Sequence, residues 1–264
     1  MRLQDEGHLS TVKIRLHQFL SKTGVFASKR DVKEAVWAGD ITVAGSVVKN
    51  IAFQFNPNSK PVHFRGQQLI LPSEHRTLIL NKPLGVVCSR LNKHERSLGK
   101  VSVFSLLNEA LSERDHARLL TVGRLDEATT GLLIITTDGQ LVHRITSPEF
   151  HVNKTYFVNT SQPVAKEGLD RLRQGVEIEL EVDGRVELFT TQPAGVEDVD
   201  ACAYVVTVAE GKKRQIRRMF TAIGHEVIAL ERISIGALSL DNLNLDYGEF
   251  IDISDLNLDT LIQG

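Results

Sequence analysis

Residues 123–135 read GRLDEATTGLLII, a polar loop with glycine at each end that runs directly into four apolar residues. The apolar run predicts a buried strand. Asp126 stands on the short loop in front of that strand, so its carboxylate is expected at the rim of a core. An Asp in such a loop more often caps or turns the backbone than catalyses a reaction. The spacing therefore predicts a rigidly mounted acid and leaves its role open.

The residues after this strand extend the pattern. Thr137-Asp138-Gly139 predicts a turn, and residues 140–145 predict a short helix that ends at Ser147-Pro148. The continuous run from Gly123 to Pro148 resembles the catalytic motif of the RsuA/RluB/RluE/RluF-type pseudouridine synthases. This resemblance implies that Asp126 is the carboxylate that converts uridine to pseudouridine.

That reaction breaks the bond from ribose to N1 of uracil and remakes it to C5. It requires a carboxylate, a group that moves a proton and a pocket for a flipped base, so we expect no cofactor and no metal. Lys154-Thr155-Tyr156 resembles the family's Lys-x-Tyr strand, which implies that Tyr156 stacks on uracil and shuttles a proton. Without the family, Tyr156 is read as cross-strand packing. Whether Asp126 attacks the ribose or the uracil ring stays open.

Residues 211–218, GKKRQIRR, form the densest basic segment of the chain. A buried carboxylate needs a cation beside it to stay ionised. In the resembled family this segment supplies that cation, and alignment on its glutamine favours Arg217, with Arg214 as the second choice. We expect Lys212, Arg214 and Arg218 to contact RNA.

Two cations near the Asp126 loop are also expected at the RNA. Arg124 resembles the side chain that fills the gap left by the flipped nucleotide; the alternative is a weak surface ion pair. Residues 81–85, NKPLG, predict a turn. In the family such a turn lies by the cleft, so Lys82 is expected to face RNA, and its alternative reading is an exposed turn residue.

Residues 11–72 predict a separate small unit. Apolar residues at helical spacing predict two helices, the second from after Ser28 to Gly39, followed by a hairpin. This pattern resembles the RNA-binding domain of ribosomal protein S4, an αα-hairpin. The resemblance implies that three cations of the second helix face RNA, although a solvated surface is the alternative. These cations are Lys29, Arg30 and Lys33.

The remaining chain mixes strands and helices without a βαβ rhythm. This order predicts an α+β fold whose catalytic domain is built on a mixed, mainly antiparallel sheet. We expect residues 1–10 to be flexible, residues 73–76 to be a linker and residues 77–264 to form the catalytic domain.

Composition restricts the class of protein further. A formal net charge of -2 with 42% apolar residues is typical of an ordinary globular protein. Because the chain as a whole is not basic, any binding to RNA phosphates is expected to come from local patches of Lys and Arg. Cys88 and Cys202 are too few for a disulfide framework or a metal cluster. The sequence shows no membrane span and no signal peptide core, so a cytoplasmic location and no membrane partner are expected.

These observations predict an RNA pseudouridine synthase that flips a uridine of ribosomal RNA out of its stack. The resemblance is strongest to the enzyme that modifies small-subunit (16S) rRNA, and residues 143–148, 154–156 and 217–220 carry it. We expect the protein to act as a monomer on this rRNA in a partly assembled small subunit. Large-subunit (23S) rRNA is the alternative. A non-catalytic RNA-binding ribosome-assembly protein and a hydrolase with paired carboxylates are the other classes considered.

Overall fold

The computed structural model describes residues 13–71, 75–108, 111–254 and 256. The chain divides into two compact units, Met1–Glu74 and His75–Gly264. The flexible start expected for residues 1–10 and the first two residues of the linker expected at 73–76 lie outside the described residues.

The first unit contains two helices, α1 (Leu16–Lys22) and α2 (Lys29–Ala38). Its strands are β1 (Ile14–Arg15), β2 (Ile41–Val43), β3 (Ser46–Val47), β4 (Gln54–Phe55), β5 (Val62–Phe64) and β6 (Gln67–Leu69). β1 pairs with β4, and the other four strands form an antiparallel sheet in the order β3-β2-β5-β6.

Helix α2 lies where the sequence predicts a helix. The Ser28 side chain accepts a hydrogen bond from the Asp31 N–H at its start, and Gly39 ends it in a left-handed conformation with φ of 87°. Its buried side chains, Val32 and Val36 among them, pack into one apolar core with α1 and the small sheets. The opposite face of α2 is left exposed.

The second unit contains α3 (Lys93–Ser97), α4 (Glu113–Arg118), α5 (Gly139–Thr146), α6 (Lys166–Gln174) and α7 (Gln215–Ala222). Its first strands are β7 (Thr77–Lys82), β8 (Val86–Val87), β9 (Val101–Ser102), β10 (Leu120–Thr121), β11 (Thr130–Thr136) and β12 (Lys154–Thr160). The later strands are β13 (Glu177–Val182), β14 (Arg185–Thr190), β15 (Gly195–Asp200), β16 (Ala203–Val208), β17 (Val227–Ile235), β18 (Leu238–Ser239) and β19 (Phe250–Asp252). Short 3₁₀ helices cover Val103–Leu107, Pro148–Phe150 and Leu240–Asn242.

A nine-stranded mixed sheet organises this unit, as the sequence predicts. Its main order is β15-β16-β12-β17-β11-β7-β19, with β10 paired to β11 and β18 paired to β17. Every pairing is antiparallel except that of β11 with β17. This parallel ladder aligns only Thr130 with Glu231 and Gly131 with Arg232. We call these four residues the sheet junction, because they join β7, β11 and β19 to the other half of the sheet.

Strand β11 is buried on both faces of the sheet. Leu132 and Ile134 point into one apolar cluster, Leu133 and Ile135 into another, and all four are 0% exposed. A strand covered on both sides reads as a continuous apolar run rather than an alternating one. The prediction of a buried strand behind the Asp126 loop is therefore confirmed.

The acidic segment after α6 folds as a separate two-stranded ribbon of β13 and β14. Asp183 and Gly184 both have positive φ, which suits the tight turn between these strands. The three glutamates of β13, Glu177, Glu179 and Glu181, are exposed. Within the described part of the chain, no helix has the length and hydropathy that a membrane span requires.

Candidate active site

A cleft of about 470 Å³ opens beside the sheet junction. It is lined by the loop before β11, by Tyr156 of β12 and by the basic segment before α7. Asp126, Tyr156 and Arg214 line it together although they are far apart in sequence. Arg124 also lines the cleft and is exposed. A cleft of this size accommodates a nucleoside-sized group.

Backbone hydrogen bonds hold the Asp126 loop in one conformation. The Thr129 N–H donates to the Asp126 carbonyl at 3.0 Å, and the Gly85 N–H donates to the Glu127 carbonyl at 2.9 Å. Thr129 itself is only 2% exposed. The half-buried Asp126 side chain is therefore presented to the cleft from a fixed backbone.

Lys82 lies beneath this loop and is 0% exposed, so the prediction that it faces RNA is wrong. Its ammonium donates to the Thr129 carbonyl at 2.8 Å and to the Pro83 carbonyl at 2.9 Å. Burial lowers the pKa of Lys82, while the nearby Glu127 and Asp126 carboxylates act in the opposite direction. The reason for the burial is that Lys82 ends β7, which pairs with β11 inside the sheet.

Tyr156 is half-buried at the edge of the cleft. It stands opposite Val206 on one neighbouring strand and opposite Arg232 on the other. Its ring packs against apolar clusters in both halves of the sheet. The cross-strand packing expected without the family and the position at the cleft are therefore both observed.

Arg217 connects the Asp126 loop to β17. Its guanidinium donates to the Ala128 carbonyl and to the Val227 carbonyl, each at 2.7 Å. Burial lowers the pKa of Arg217, as does Arg214, whereas the Asp126 carboxylate raises it. Among the described residues no cation lies within 4.0 Å of the Asp126 carboxylate, so the expected direct ion pair is absent here. Arg217 acts on Asp126 through its charge and through the loop backbone.

The basic segment is shaped by Gln215, a residue that sequence reasoning used only for alignment. The Gln215 side chain is 5% exposed, donates to the Glu210 carboxylate at 2.8 Å and accepts from the Lys212 N–H at 3.0 Å. Arg214, the residue before Gln215, lies in the left-handed region with φ of 56°. Residues other than glycine rarely adopt this backbone conformation, and such strain is frequent at functional sites.

The remaining predicted RNA contacts occupy different surroundings. The Lys212 ammonium is exposed and lies 4.4 Å from the centre of the Phe189 ring. The Arg218 guanidinium donates to the Glu179 carbonyl on β13 instead of lining the cleft. In the first unit, Lys29, Arg30 and Lys33 are all exposed on α2.

Arg232 of β17, which stands opposite the cleft residue Tyr156, is a buried cation that the sequence did not reveal. It is 3% exposed, and its Nε–H donates to the Leu132 carbonyl at 2.8 Å. Its Nη2 has no hydrogen-bond partner among the described residues. The only sequence signal was the Glu231-Arg232 pair within a mostly apolar strand, where charged residues are normally expected to face solvent.

Lys154 lies close to this buried guanidinium. Burial and the Arg232 charge lower the pKa of Lys154 to about 8. The Lys154 ammonium donates to the Val152 carbonyl at 2.7 Å. Two cations, Lys154 and Arg232, therefore lie close together on β12 and β17 near Tyr156.

Comparisons by family model, by sequence and by structure all point to the same protein family. Residues 76–222 match the family model described as RNA pseudouridylate synthase. The chain is 35% identical over 242 residues to ribosomal small subunit pseudouridine synthase A of Salmonella typhimurium, covering 92% of this chain and 97% of that protein. It is 33% identical over 249 residues to the protein of the same name from Escherichia coli K12, covering 94% and 100%. A crystal structure described as a pseudouridylate synthase superposes with a TM-score of 0.59 at 30% identity, covering 94% of this chain and all of that one.

Proposed function

The chain belongs to the RNA pseudouridylate synthase family, and from this premise we propose that it converts a specific uridine of small-subunit (16S) rRNA to pseudouridine in the cleft at Asp126. The observation that carries this proposal is the convergence of Asp126, Tyr156 and Arg214 on one cleft. The choice of small-subunit rRNA is supported by the names of the relatives that match over nearly the whole chain.

In the proposed reaction a uridine leaves its stack and its uracil enters the cleft. Asp126 assists cleavage of the bond between C1′ of ribose and N1. The detached uracil rotates so that C5 bonds to C1′, the hydrogen on C5 leaves as a proton, and N1 gains a proton. No atom is added or lost overall, and no oxidant or reductant is needed.

The side chains around Asp126 suit these steps. The phenol of Tyr156 stacks on the uracil and moves the proton from C5. Arg217 and the buried Lys82 bring positive charge to the surroundings of the Asp126 carboxylate, and that charge stabilises negative charge there during the reaction. Arg124 occupies the space that the flipped nucleotide leaves in the RNA.

RNA affinity in this proposal comes from two surfaces. One is the exposed part of the basic segment at the cleft, with Lys212 and Arg214. The other is α2 of the first unit, which we propose to be an S4-like RNA-binding domain with Lys29, Arg30 and Lys33 toward phosphates. The substrate is a partly assembled small subunit in the cytoplasm, and the protein acts as a monomer.

The test is to incubate the protein and its Asp126→Asn variant with unmodified small-subunit and large-subunit rRNA, each as naked RNA and as partly assembled particles. Pseudouridine is then mapped by carbodiimide treatment and primer extension. We expect one new stop on small-subunit rRNA with the wild type and none with the variant. A stop on large-subunit rRNA alone would overturn the substrate, and no stop on any RNA would favour a non-catalytic RNA-binding protein.

A further inference from the structure

Trp37 is the one tryptophan of the chain and stands exposed on α2. Its side chain is 59% exposed although the residue before it, Val36, is fully buried in the core of the first unit. A large aromatic ring in water forgoes the burial that usually stabilises it. Single exposed apolar residues are common, however, so the exposure of Trp37 acquires meaning only from its neighbours.

Two lysines continue the line of Trp37 along the helix. Lys29, Lys33 and Trp37 are spaced four residues apart, so they share one face and follow one another at a rise of about 6 Å. All three are exposed. We call these three residues the α2 stripe.

The lysines of the α2 stripe are not neutralised. Within the described residues neither lysine has a carboxylate within 4.0 Å, whereas Arg30 beside them is paired with Glu34 at 2.8 Å. Two free ammonium groups followed by an aromatic face complement a polymer that carries both negative charge and flat bases. An acidic protein surface would bind the two ammonium groups but offers no flat bases to stack on the Trp37 ring.

A further cation lies at the tryptophan end of the stripe. Gly39 ends α2, and a Cβ added there would lie 3.1 Å from Cε and 3.7 Å from Nζ of Lys49. Lys49 is exposed, and so is Val47 beside it, at 57%. Lys49 thus lies at the C-terminal end of α2, next to Gly39, which follows Trp37 by two residues.

We propose that Trp37 is a stacking platform for an unpaired nucleotide of the RNA substrate, with Lys29 and Lys33 at the adjoining phosphates. This inference rests on the proposed function, in which the first unit binds RNA. The nucleotide must be unpaired, because bases inside an A-form duplex have no free face for an aromatic side chain. Stacking on an aromatic ring is tolerant of sequence, so Trp37 selects an open loop or strand and not a particular base.

The experiment uses the fluorescence of the full-length protein, which comes from Trp37 alone at an excitation wavelength selective for tryptophan. The protein is titrated with a short single-stranded RNA of mixed sequence, and separately with the duplex of that RNA and its complement. We expect quenching on saturation with the single strand and much less with the duplex. Equal quenching by both would overturn the assignment to an unpaired nucleotide.

Variants separate RNA binding by the first unit from base stacking on Trp37. Trp37→Ala should weaken single-strand binding by about 5- to 150-fold without changing its salt dependence, because stacking carries no charge. Lys29→Ala combined with Lys33→Ala should weaken binding and reduce its salt dependence. Ile70→Ala, a change at a residue 68% exposed in the same unit but off the α2 stripe, is the matched control and should bind as the wild type does.

The outcomes are distinguishable. If the double lysine variant binds RNA as tightly as the wild type, RNA binding by the first unit is wrong, and the stacking site falls with it. If that variant weakens binding but Trp37→Ala does not, only the stacking site is wrong. Urea unfolding of each variant shows whether the first unit is still folded, and an exposed position such as Trp37 should leave its midpoint unchanged.

Discussion

Replacing Gly131 by alanine should break the sheet junction. Gly131 has φ of +101°, where an alanine is strained by about 1–3 kcal/mol. The new methyl group would lie 2.3 Å from the carbonyl oxygen and 2.8 Å from the nitrogen of Arg232, and backbone atoms cannot rotate away. Relief requires β11 to part from β17, which forfeits ladder hydrogen bonds worth about 1 kcal/mol each. We expect a total loss of about 3–5 kcal/mol of unfolding free energy.

The same change should impair catalysis in the molecules that still fold. Asp126 belongs to the loop that leads into β11, whereas Tyr156 stands opposite β17 on the other side of the junction. Parting these strands moves the carboxylate away from the phenol. Misplacement of reacting groups by about 1 Å costs on the order of 100-fold in rate, so kcat should fall by at least that factor.

The assays are urea unfolding and single-turnover pseudouridine formation. Gly139→Ala is the matched control, because Gly139 starts α5 with no atom within 4 Å of the added methyl group. Alanine favours helix, so this control should be neutral or slightly stabilising. A Gly131→Ala protein with the wild-type urea midpoint and the wild-type kcat would refute the close approach at the junction as a determinant of the site.

Three further predictions concern the buried cations. Lys82→Met should lower kcat tenfold or more with little change in KM, because the Thr129 carbonyl loses its hydrogen-bond donor and Asp126 loses a neighbouring positive charge. An unchanged kcat would contradict the placement of Lys82. Arg232→Lys keeps the charge but loses the Nε–H bond to the Leu132 carbonyl, so kcat should fall and KM stay constant; wild-type kinetics would count against it. The pKa of Lys154 is about 8 in the folded protein, so the unfolded state binds more protons between about pH 8 and 10.5. The unfolding free energy of the wild type, measured relative to Lys154→Met, should therefore rise with pH in this range, by on the order of 1 kcal/mol after solvent screening. A difference that stays flat or falls would contradict the burial of Lys154.

The parts of the fold that follow from local pattern could be predicted from the sequence. The buried β11 follows from four consecutive apolar residues, and α2 follows from a serine and a glycine at its ends. The mixed sheet also follows from the irregular order of elements. In each case the deciding information lies within a few residues along the chain.

The parts that follow from tertiary pairing could not be predicted. Lys82 reads as an exposed turn residue, and it is buried only because β7 pairs with β11. A charged residue such as Arg232 is expected to face solvent until β17 is placed against β12 and β11.

The identity of Arg217 as a residue near Asp126 followed from the motif. Its hydrogen bonds to the Ala128 and Val227 carbonyls did not, because they depend on where β17 passes the loop.

The most direct test of the Asp126 chemistry is tritium release from small-subunit rRNA labelled at C5 of uridine, because C5 must lose its hydrogen when it bonds to ribose. Glu127→Gln is the control for Asp126→Asn, since Glu127 is the adjacent carboxylate and forms only a partly exposed ion pair with Lys100 at 2.6 Å. We expect release by the wild type and by Glu127→Gln at similar rates, and none by Asp126→Asn. Release by Asp126→Asn at the wild-type rate would contradict the role of Asp126 as the catalytic carboxylate.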